Sequence, residues 1–332
     1  MTIREVAKLA GVSPAAVSRY INGGPLSPDK REAIRKVIEK TGYRPSVTAR
    51  TMRTGGSGQI GVIVPRIQSD AVSQIIAGIT GELSERGYLA ILGSTQERRE
   101  LEPEYIEMLQ DNQVEGIILM GTVMTPRLAD AIRASSKPVV VTGQSFDGVC
   151  CVYHDDFHAV GELMRRMIEK GRKNIVYIGV SDDDEAVGKQ RKKGAQAAWK
   201  EAGHDPSSLP VLTADFSAGS GRECIRRLLR ENPQTQIDGV ICATDRIAIG
   251  AMDALIEAGK RVPEDVSVAG VGDSWAGDFL RPKLTTARLY HKKCGETAAK
   301  LLLELIGAAR RGESAAVSRT MLSYSICERE SL

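Results

Sequence analysis

The chain has 332 residues, 45 Lys+Arg against 42 Asp+Glu, and 42% hydrophobic residues. That composition belongs to an ordinary globular protein and excludes disordered, collagenous and disulfide-dense classes. No apolar run approaches the ~20 residues that cross a bilayer, and MTIREVAKLA lacks the apolar stretch and cleavage site of a secretory signal. The six cysteines (Cys150, Cys151, Cys224, Cys242, Cys294 and Cys327) make no CxxC spacing and sit in apolar runs. They read as reduced core residues of a cytoplasmic protein.

A net charge of +3 conceals a division. Residues 1–53 carry eleven basic side chains (Arg4, Lys8, Arg19, Lys30, Arg31, Arg35, Lys36, Lys40, Arg44, Arg50 and Arg53) against four acids, a net +7. The remainder has 34 basic and 38 acidic residues, a net −4. A basic head on a mildly acidic body predicts a polyanion partner for the head alone. The length allows two or three domains.

The head predicts three short helices. Thr2 and Glu5 form a capping box, Val6, Leu9 and Ala10 give an apolar face, and Gly11 is the stop. Ser13-Pro14 caps and starts a second helix through Ile21. Ser27-Pro28-Asp29 starts a third, which ends at Gly42. Thr54-Gly55-Gly56-Ser57-Gly58 then reads as a flexible linker.

From residue 59 the pattern changes. Nearly continuous apolar runs (QIGVIVP, YLAILG, EGIILMG, PVVVTG, VCCVYH, NIVYIGV, LPVLTA, DGVICAT and VSVAGVG) read as strands buried on both faces of parallel sheets. Amphipathic stretches such as 71–87, 157–171 and 245–259 supply the crossover helices. The unit occurs about twice, over 60–155 and 172–288, which predicts two similar α/β lobes.

Two helices joined at Gly11-Val12-Ser13 fit a helix-turn-helix. Ala7, Val12 and Val17 are expected to pack the pair, leaving Ser13, Ala15, Ala16, Ser18 and Arg19 to face a groove. With the basic excess, this predicts nucleic-acid binding. A small helical subdomain with ordinary surface charge is the bland alternative.

The stretch Ile3-Arg4-Glu5-Val6-Ala7-Lys8-Leu9-Ala10-Gly11-Val12-Ser13, with Val17-Ser18-Arg19 and Asn22, resembles the opening of the LacI/GalR transcriptional repressors. Gly42-Tyr43-Arg44-Pro45, Ala49-Arg50, Asp238-Gly239, Ala243-Thr244-Asp245, Ala248-Ile249-Gly250-Ala251 and Leu284-Thr285-Thr286 continue the likeness in order. The resemblance implies a combined α and α/β architecture. Residues 1–45 would be a lambda-repressor-like helix-turn-helix head and 46–58 a hinge helix and linker. Residues 59–332 would be a periplasmic-binding-protein-like effector and dimerisation domain. Its first lobe would hold about 59–156 and 289–318, and its second about 157–288 and 319–332.

For the head, the resemblance implies DNA contacts by Thr2, Ser13, Pro14, Ala15, Ser18, Arg19, Asn22 and Tyr43. In the hinge it implies Ala49, Arg50 and Met52, the last an apolar wedge where the family usually has leucine. A homodimer on a near-palindromic operator is implied, because two heads on a two-fold axis read two half-sites. The chain stops soon after its last apolar run, so a dimer is expected rather than a tetramer.

For the body, the resemblance implies a small-molecule effector between the lobes, held by Arg66, Ser69, Gln144, Lys189, Arg191, Phe216, Asp245 and Asp273. Asp245 is also expected to cap the helix it begins. The family has an acid where Gly272 stands, which leaves that job to Asp273. Arg66, Lys189 and Arg191 together would make the cleft locally basic. IVPRIQS, CVYHDD and IGVSDDDEAVGKQR look closer to trehalose- and sucrose-operon repressors than to purine repressors. The expected effector is therefore a sugar or a disaccharide phosphate, and the function regulation of a carbohydrate-utilisation operon. The alternatives are a purine-like effector, a transporter's solute-binding protein, or an enzyme with a fused head.

Other motifs fail on context. Gly56-Ser57-Gly58-Gln59-Ile60-Gly61 spells GxGxxG but precedes a strand, so dinucleotide binding is not indicated. His154-Asp155-Asp156 with His158 straddles a strand end and a helix start, where capping at a lobe crossover is the favoured role over a metal site. No catalytic constellation, metal site, cofactor or membrane partner is expected.

Overall fold

The computed structural model describes residues 1–21, 24–43, 56–231, 234 and 236–332. The chain forms two compact units, Met1–Gly58 and Gln59–Leu332.

In the head, helices α1 (Ile3–Leu9), α2 (Pro14–Ile21) and α3 (Pro28–Thr41) follow the expected starts and stops. Thr2 Oγ1 accepts the Glu5 N–H at 3.3 Å, and Glu5 Oε2 accepts the Thr2 N–H at 2.7 Å. Gly11 takes φ +65° in the turn, a conformation costly for a residue with a Cβ. Ser13 Oγ accepts the Ala16 N–H at 3.2 Å. Ser27 sits at the start of α3 without a side-chain capping bond, and Pro28 begins that helix instead.

The head's core joins Val6, Ala7, Ala16, Val17, Ile34 and Tyr43. Ala16 is thus not free to face a groove, being 4% exposed. With a helical period of about 3.6 residues, Ala16 and Val17 share the inward stripe with Tyr20 and Ile21. The hinge over 46–53, with Ala49, Arg50 and Met52, and also Asn22, lies outside the described residues.

In the second unit, β1 (Gln59–Val64), β2 (Leu89–Ser94), β3 (Gly116–Leu119), β4 (Val139–Thr142), β5 (Cys150–His154) and β11 (Arg319–Leu322) form one sheet. Its order is β11-β5-β4-β3-β1-β2, with every pairing parallel. The other sheet joins β6 (Ile175–Gly179), β7 (Val211–Thr213), β8 (Gly239–Cys242), β9 (Ser267–Val271), β10 (Thr285–Leu289) and β12 (Tyr324–Cys327). Its order is β12-β10-β9-β8-β6-β7, and only β10 and β12 run antiparallel.

Around the first sheet lie α4 (Asp70–Glu85), α5 (Leu101–Asp111) and α6 (Pro126–Ala134), with α11 (His291–Arg310). Around the second lie α7 (Asp156–Glu169), α8 (Arg191–Glu201), α9 (Ala218–Glu231) and α10 (Asp245–Glu257), and a π-helical turn, Glu185–Gln190, leads into α8. The first lobe buries apolar side chains on both faces of its sheet, and the second gathers around Met164, Tyr177 and Leu255.

Two expectations need correction. The runs YLAILG and LPVLTA are edge strands β2 and β7, with Leu89 and Val211 exposed, because a strand at a sheet edge lacks a neighbour on one side. Residues 319–322 do not join the second lobe. They extend the first sheet from Arg319 opposite Cys151 to Leu322 opposite His154, where the edge of β5 offers unpaired backbone groups. The chain therefore changes lobe between His154 and Asp156, between Leu289 and His291, and again between Leu322 and Tyr324.

Candidate effector cleft and nucleic-acid interface

On the head, the outer face of α2 presents Pro14, Ala15 and Arg19 exposed, with Ser18 half-buried. Arg4 and Lys8 on α1 are also exposed. The head's ion pairs lie on α3, where Arg35 meets Glu32 at 2.6 Å and Glu39 at 2.7 Å and Lys36 meets Glu32 at 3.8 Å. Arg31 lies over the Tyr20 ring at 5.8 Å and donates to the Gly24 carbonyl. Among the described residues of the head, Arg4, Lys8 and Arg19, with Lys30 and Lys40 on α3, are exposed and stand in none of these ion pairs. Thr2 caps α1 and Tyr43 packs into the core, so each has a structural task in addition to any contact.

In the second unit a cavity of about 190 Å³ opens where the carboxyl ends of both sheets converge. Arg66, Ser69, Gln144, Arg191, Phe216 and Asp245 all line it. Ser69 caps α4 by accepting the Val72 N–H at 3.5 Å. Arg66 stacks 4.2 Å from the Phe216 ring centroid and pairs with Glu97 at 2.5 Å. Gln144, 4% exposed, donates to the Thr122 carbonyl at 2.5 Å and to the Asp184 carboxylate at 3.1 Å. This last bond crosses from the first lobe to the second, as does the bond from the Ser274 hydroxyl to Asp70.

Arg191 is 6% exposed and directs Nε to Asp156 at 2.7 Å and Nη1 to the Ala243 carbonyl. Asp245, 2% exposed, accepts the Thr286 hydroxyl and the Ser274 N–H, each at 2.6 Å. Burial outweighs those bonds and lifts its pKa to about 6. It does not cap α10, since Thr244 Oγ1 accepts the Ile247 N–H at 3.3 Å. Gly270 makes room for Asp245, because a Cβ there would overlap the carboxylate.

Two expected residues stand apart from this cavity. Lys189 sits on the π-helical turn, pairs with Glu185 at 3.2 Å, and is 43% exposed. Asp273 adopts φ +51°, which turns it away from the cleft onto Arg288 and Arg329, each at 2.6 Å. Its neighbours Gly272 and Ser274 line the cavity in its place.

Beside the expected Gln144, the lining holds polar, neutral residues that sequence reasoning missed: Thr142, His154 and His291. Thr142 Oγ1, Gln144 Oε1, His154 Nε2 and His291 Nδ1 are buried in the lining without hydrogen-bond partners. One nitrogen of His154 bonds the Tyr290 carbonyl. Because Nε2 is the unpartnered atom, the bonded one is Nδ1, and a carbonyl accepts only from N–H. Burial lowers the pKa of both histidines, so both rings are neutral and His154 presents a lone pair at Nε2. Thr142 and His154 end apolar runs, and the strand-end rule could have found them. Asp184 could not be found that way, since its role depends on Gln144 reaching it from the other lobe. Burial raises the Asp184 pKa despite the N–H bonds it accepts from the turn it caps. The capping role expected near His154 falls to Asp155, which accepts the His158 N–H at 3.2 Å.

This arrangement corrects the expectation of a basic cleft. Arg66 and Arg191 are ion-paired, Lys189 is elsewhere, and Arg246 donates to the Gln68 carbonyl. Asp70, Asp156, Asp184 and Asp245 stand in the same lining. A phosphate dianion would meet four carboxyl groups and three arginines, two of them already ion-paired and the third, Arg246, bonded to a backbone carbonyl.

Residues 2–46 match the bacterial regulatory proteins of the lacI family, and residues 164–332 match the periplasmic binding protein-like domain. The chain is 32% identical to the transcriptional repressor PurR of Haemophilus influenzae, over 92% of this chain and 91% of that one. It is 29% identical to the sucrose operon repressor of Staphylococcus xylosus, over 92% of this chain and 93% of that one. Among solved structures, the transcriptional regulator CelR–cellobiose complex superposes with a TM-score of 0.74 at 28% identity, over 100% and 99% of the two chains. With a basic helix-turn-helix head ahead of a two-lobed cleft, the chain belongs to the lacI family and is a DNA-binding transcriptional regulator.

Proposed function

We propose that the protein is a cytoplasmic, homodimeric repressor of a carbohydrate-utilisation operon whose affinity for a near-palindromic operator is set by an uncharged, hydroxyl-rich effector. The supporting observation is the set of four buried, unpartnered neutral atoms around the cleft, on Thr142, Gln144, His154 and His291. A buried polar group without a partner costs roughly 1–3 kcal/mol, and a ligand hydroxyl that donates or accepts removes that cost. Sugar hydroxyls do both, and Asp70, Asp184 and Asp245 add acceptors. The apolar side of a sugar ring fits Val72, Ile75 and Met120 in the same lining. A flat purine suits the site less, because the Phe216 face is already covered by Arg66. Regulation rather than catalysis accords with the regulators this chain resembles.

The test is calorimetry of the full chain against neutral sugars, their phosphates and hypoxanthine, followed by footprinting on the DNA upstream of the gene with and without the binder. Neutral sugars are expected to bind and to change operator occupancy. Binding confined to phosphosugars or hypoxanthine would sink the proposal.

A further inference from the structure

We infer that His154 and His291 form an acid-sensitive clasp at the hinge between the lobes, so that lobe closure, and effector binding with it, weakens as the medium turns acid. The device is independent of the effector's chemical class. His154 ends β5, where the chain leaves the first lobe, and His291 opens α11, where the chain returns to it. Two of the three crossovers thus carry a buried imidazole, one 5% and the other 7% exposed. The two rings meet edge to face, with centroids 5.0 Å apart and an interplanar angle of 77°. Rotation at the crossovers turns the backbone that carries both rings. Each ring also keeps one nitrogen without a partner, Nε2 of His154 and Nδ1 of His291, and water reaching the cavity would supply one.

The surroundings admit the pair only as neutral rings. The Arg191 guanidinium repels a charge on either ring. Asp156 attracts a charge on His154, but Arg191 already holds it at 2.7 Å. His291 shares the first turn of α11 with Lys292 and Lys293 and no acid, where the helix dipole also disfavours a cation. Cys294 on the same helix is a buried thiol that donates to the Val152 carbonyl and offers no countercharge. Across the cavity Asp70 accepts the Ser274 hydroxyl and Asp184 accepts the Gln144 amide. Burial and these cations hold both imidazole pKa values below the ordinary 6.5, that of His291 well below. Opening admits water to the lining and returns the rings toward their ordinary basicity, so the open form binds protons more readily. Closure is therefore fully favoured above about pH 6.5 and loses ground as pH falls below it. Asp184 opposes this, because burial raises its pKa and closure retains its proton. Asp245 keeps both of its partners, Thr286 and Ser274, which lie in its own lobe.

The experiment is an NMR titration of the full-length protein, isotope-labelled in histidine, from about pH 8 to about pH 5. It is run with the lobes free and with the lobes held together. The clamp is a bis(maleimido)ethane bridge between Arg99→Cys and Asp183→Cys, in place of the exposed ion pair that spans the lobes at 3.1 Å. Mass spectrometry confirms that a single bridge has formed at that pair. The resonances of the clasp are identified by their loss in His154→Asn and His291→Phe. Should either variant fail to fold, the chain's other two histidines, the exposed His158 and His204, are substituted instead and the pair is assigned by what remains. With the lobes free, both rings are expected to take up a proton within this range. With the bridge in place, their midpoints are expected to fall by about one pH unit or more, a tenfold weaker hold on the proton. Equal midpoints in the free and bridged proteins overturn the inference, because protonation would then be indifferent to the lobes. A pair that stays neutral down to about pH 5 with the lobes free overturns it as well.

Discussion

Arg19 in the head and Arg191 in the body are the same residue type in opposite physical states. Arg19 is exposed on the outer face of α2, whereas Arg191 is buried between Asp156 and the Ala243 carbonyl. The first is open to meet a phosphate, and its solvation is the only thing it gives up. The second is already neutralised, and removing it strands a buried carboxylate. A net charge read from sequence therefore described the head well and the cleft badly. On a solvated surface the formal charge is the working charge, while inside a cleft each charge arrives with a partner.

The sharpest way to break this contrast is Arg191→Ala. It leaves Asp156, 4% exposed, without its partner and is expected to cost about 3–5 kcal/mol of stability in the second unit. Urea unfolding followed by tryptophan fluorescence reports on that unit alone, since Trp199 and Trp275 both lie in it. Pairing Arg191→Met with Asp156→Leu should recover most of the loss. If Arg191→Ala unfolds like the parent, the buried pair is not structural.

Asp245 sharpens the contrast through pH. Its folded pKa of about 6 lies above the ordinary 3.8, so the folded state holds this proton more tightly than the unfolded state does. The resulting stabilisation is fully present below about pH 4 and is lost as pH rises through about 6. Integrated over that window it amounts to about 3 kcal/mol. Asp245→Asn should remove this component of the pH dependence, at the expense of one of the two hydrogen bonds from Thr286 and Ser274. Urea midpoints between pH 4 and 7 measure it, and an unchanged slope in the variant would assign the titration to another group.

How far these features were legible in the sequence follows from how local their causes are. Caps, stops and strand runs depend on neighbours a few residues away, so Thr2, Gly11, Ser13 and Gly42 were readable. The strands β1 to β9 were equally so, except at β2 and β7, where an apolar run does not say whether another strand lies beside it, whereas β10, β11 and β12 were not among the runs read as strands. Ala16 was misplaced by one step of the helical wheel. The cleft depends on contacts between distant segments, and these failed more often. Asp273 was carried over from its place in a motif, but a positive φ turned it outward and left Ser274 beside Asp245. Arg319–Leu322 was assigned with the rest of 319–332 to the second lobe, because nothing in four residues tells which sheet edge receives them.

In the head, Arg19→Ala should cost about 1–3 kcal/mol on operator DNA while leaving stability and sugar affinity unchanged. Gel shifts on specific and random duplexes across a salt series check it. Equal loss on both duplexes, with a salt slope reduced by about one, would recast Arg19 as a phosphate contact only.

The smallest expected effect carries a separate test of the same contrast. Lys189 was placed in the cleft by its position in the motif, yet it lies exposed on Glu185 and outside the cavity lining. An exposed pair four residues apart contributes about 0.3–0.5 kcal/mol at most. Lys189→Ala should therefore shift stability by no more than that and leave effector affinity unchanged by calorimetry. Lys189→Glu, which reverses the charge, is the harder version of the test. If the effector meets only the paired and neutral groups of the cavity, this variant too binds as the parent does. A large loss in Lys189→Glu would mean that the cleft feels a free cation after all, and the distinction between open charge in the head and partnered charge in the cleft would fall with it.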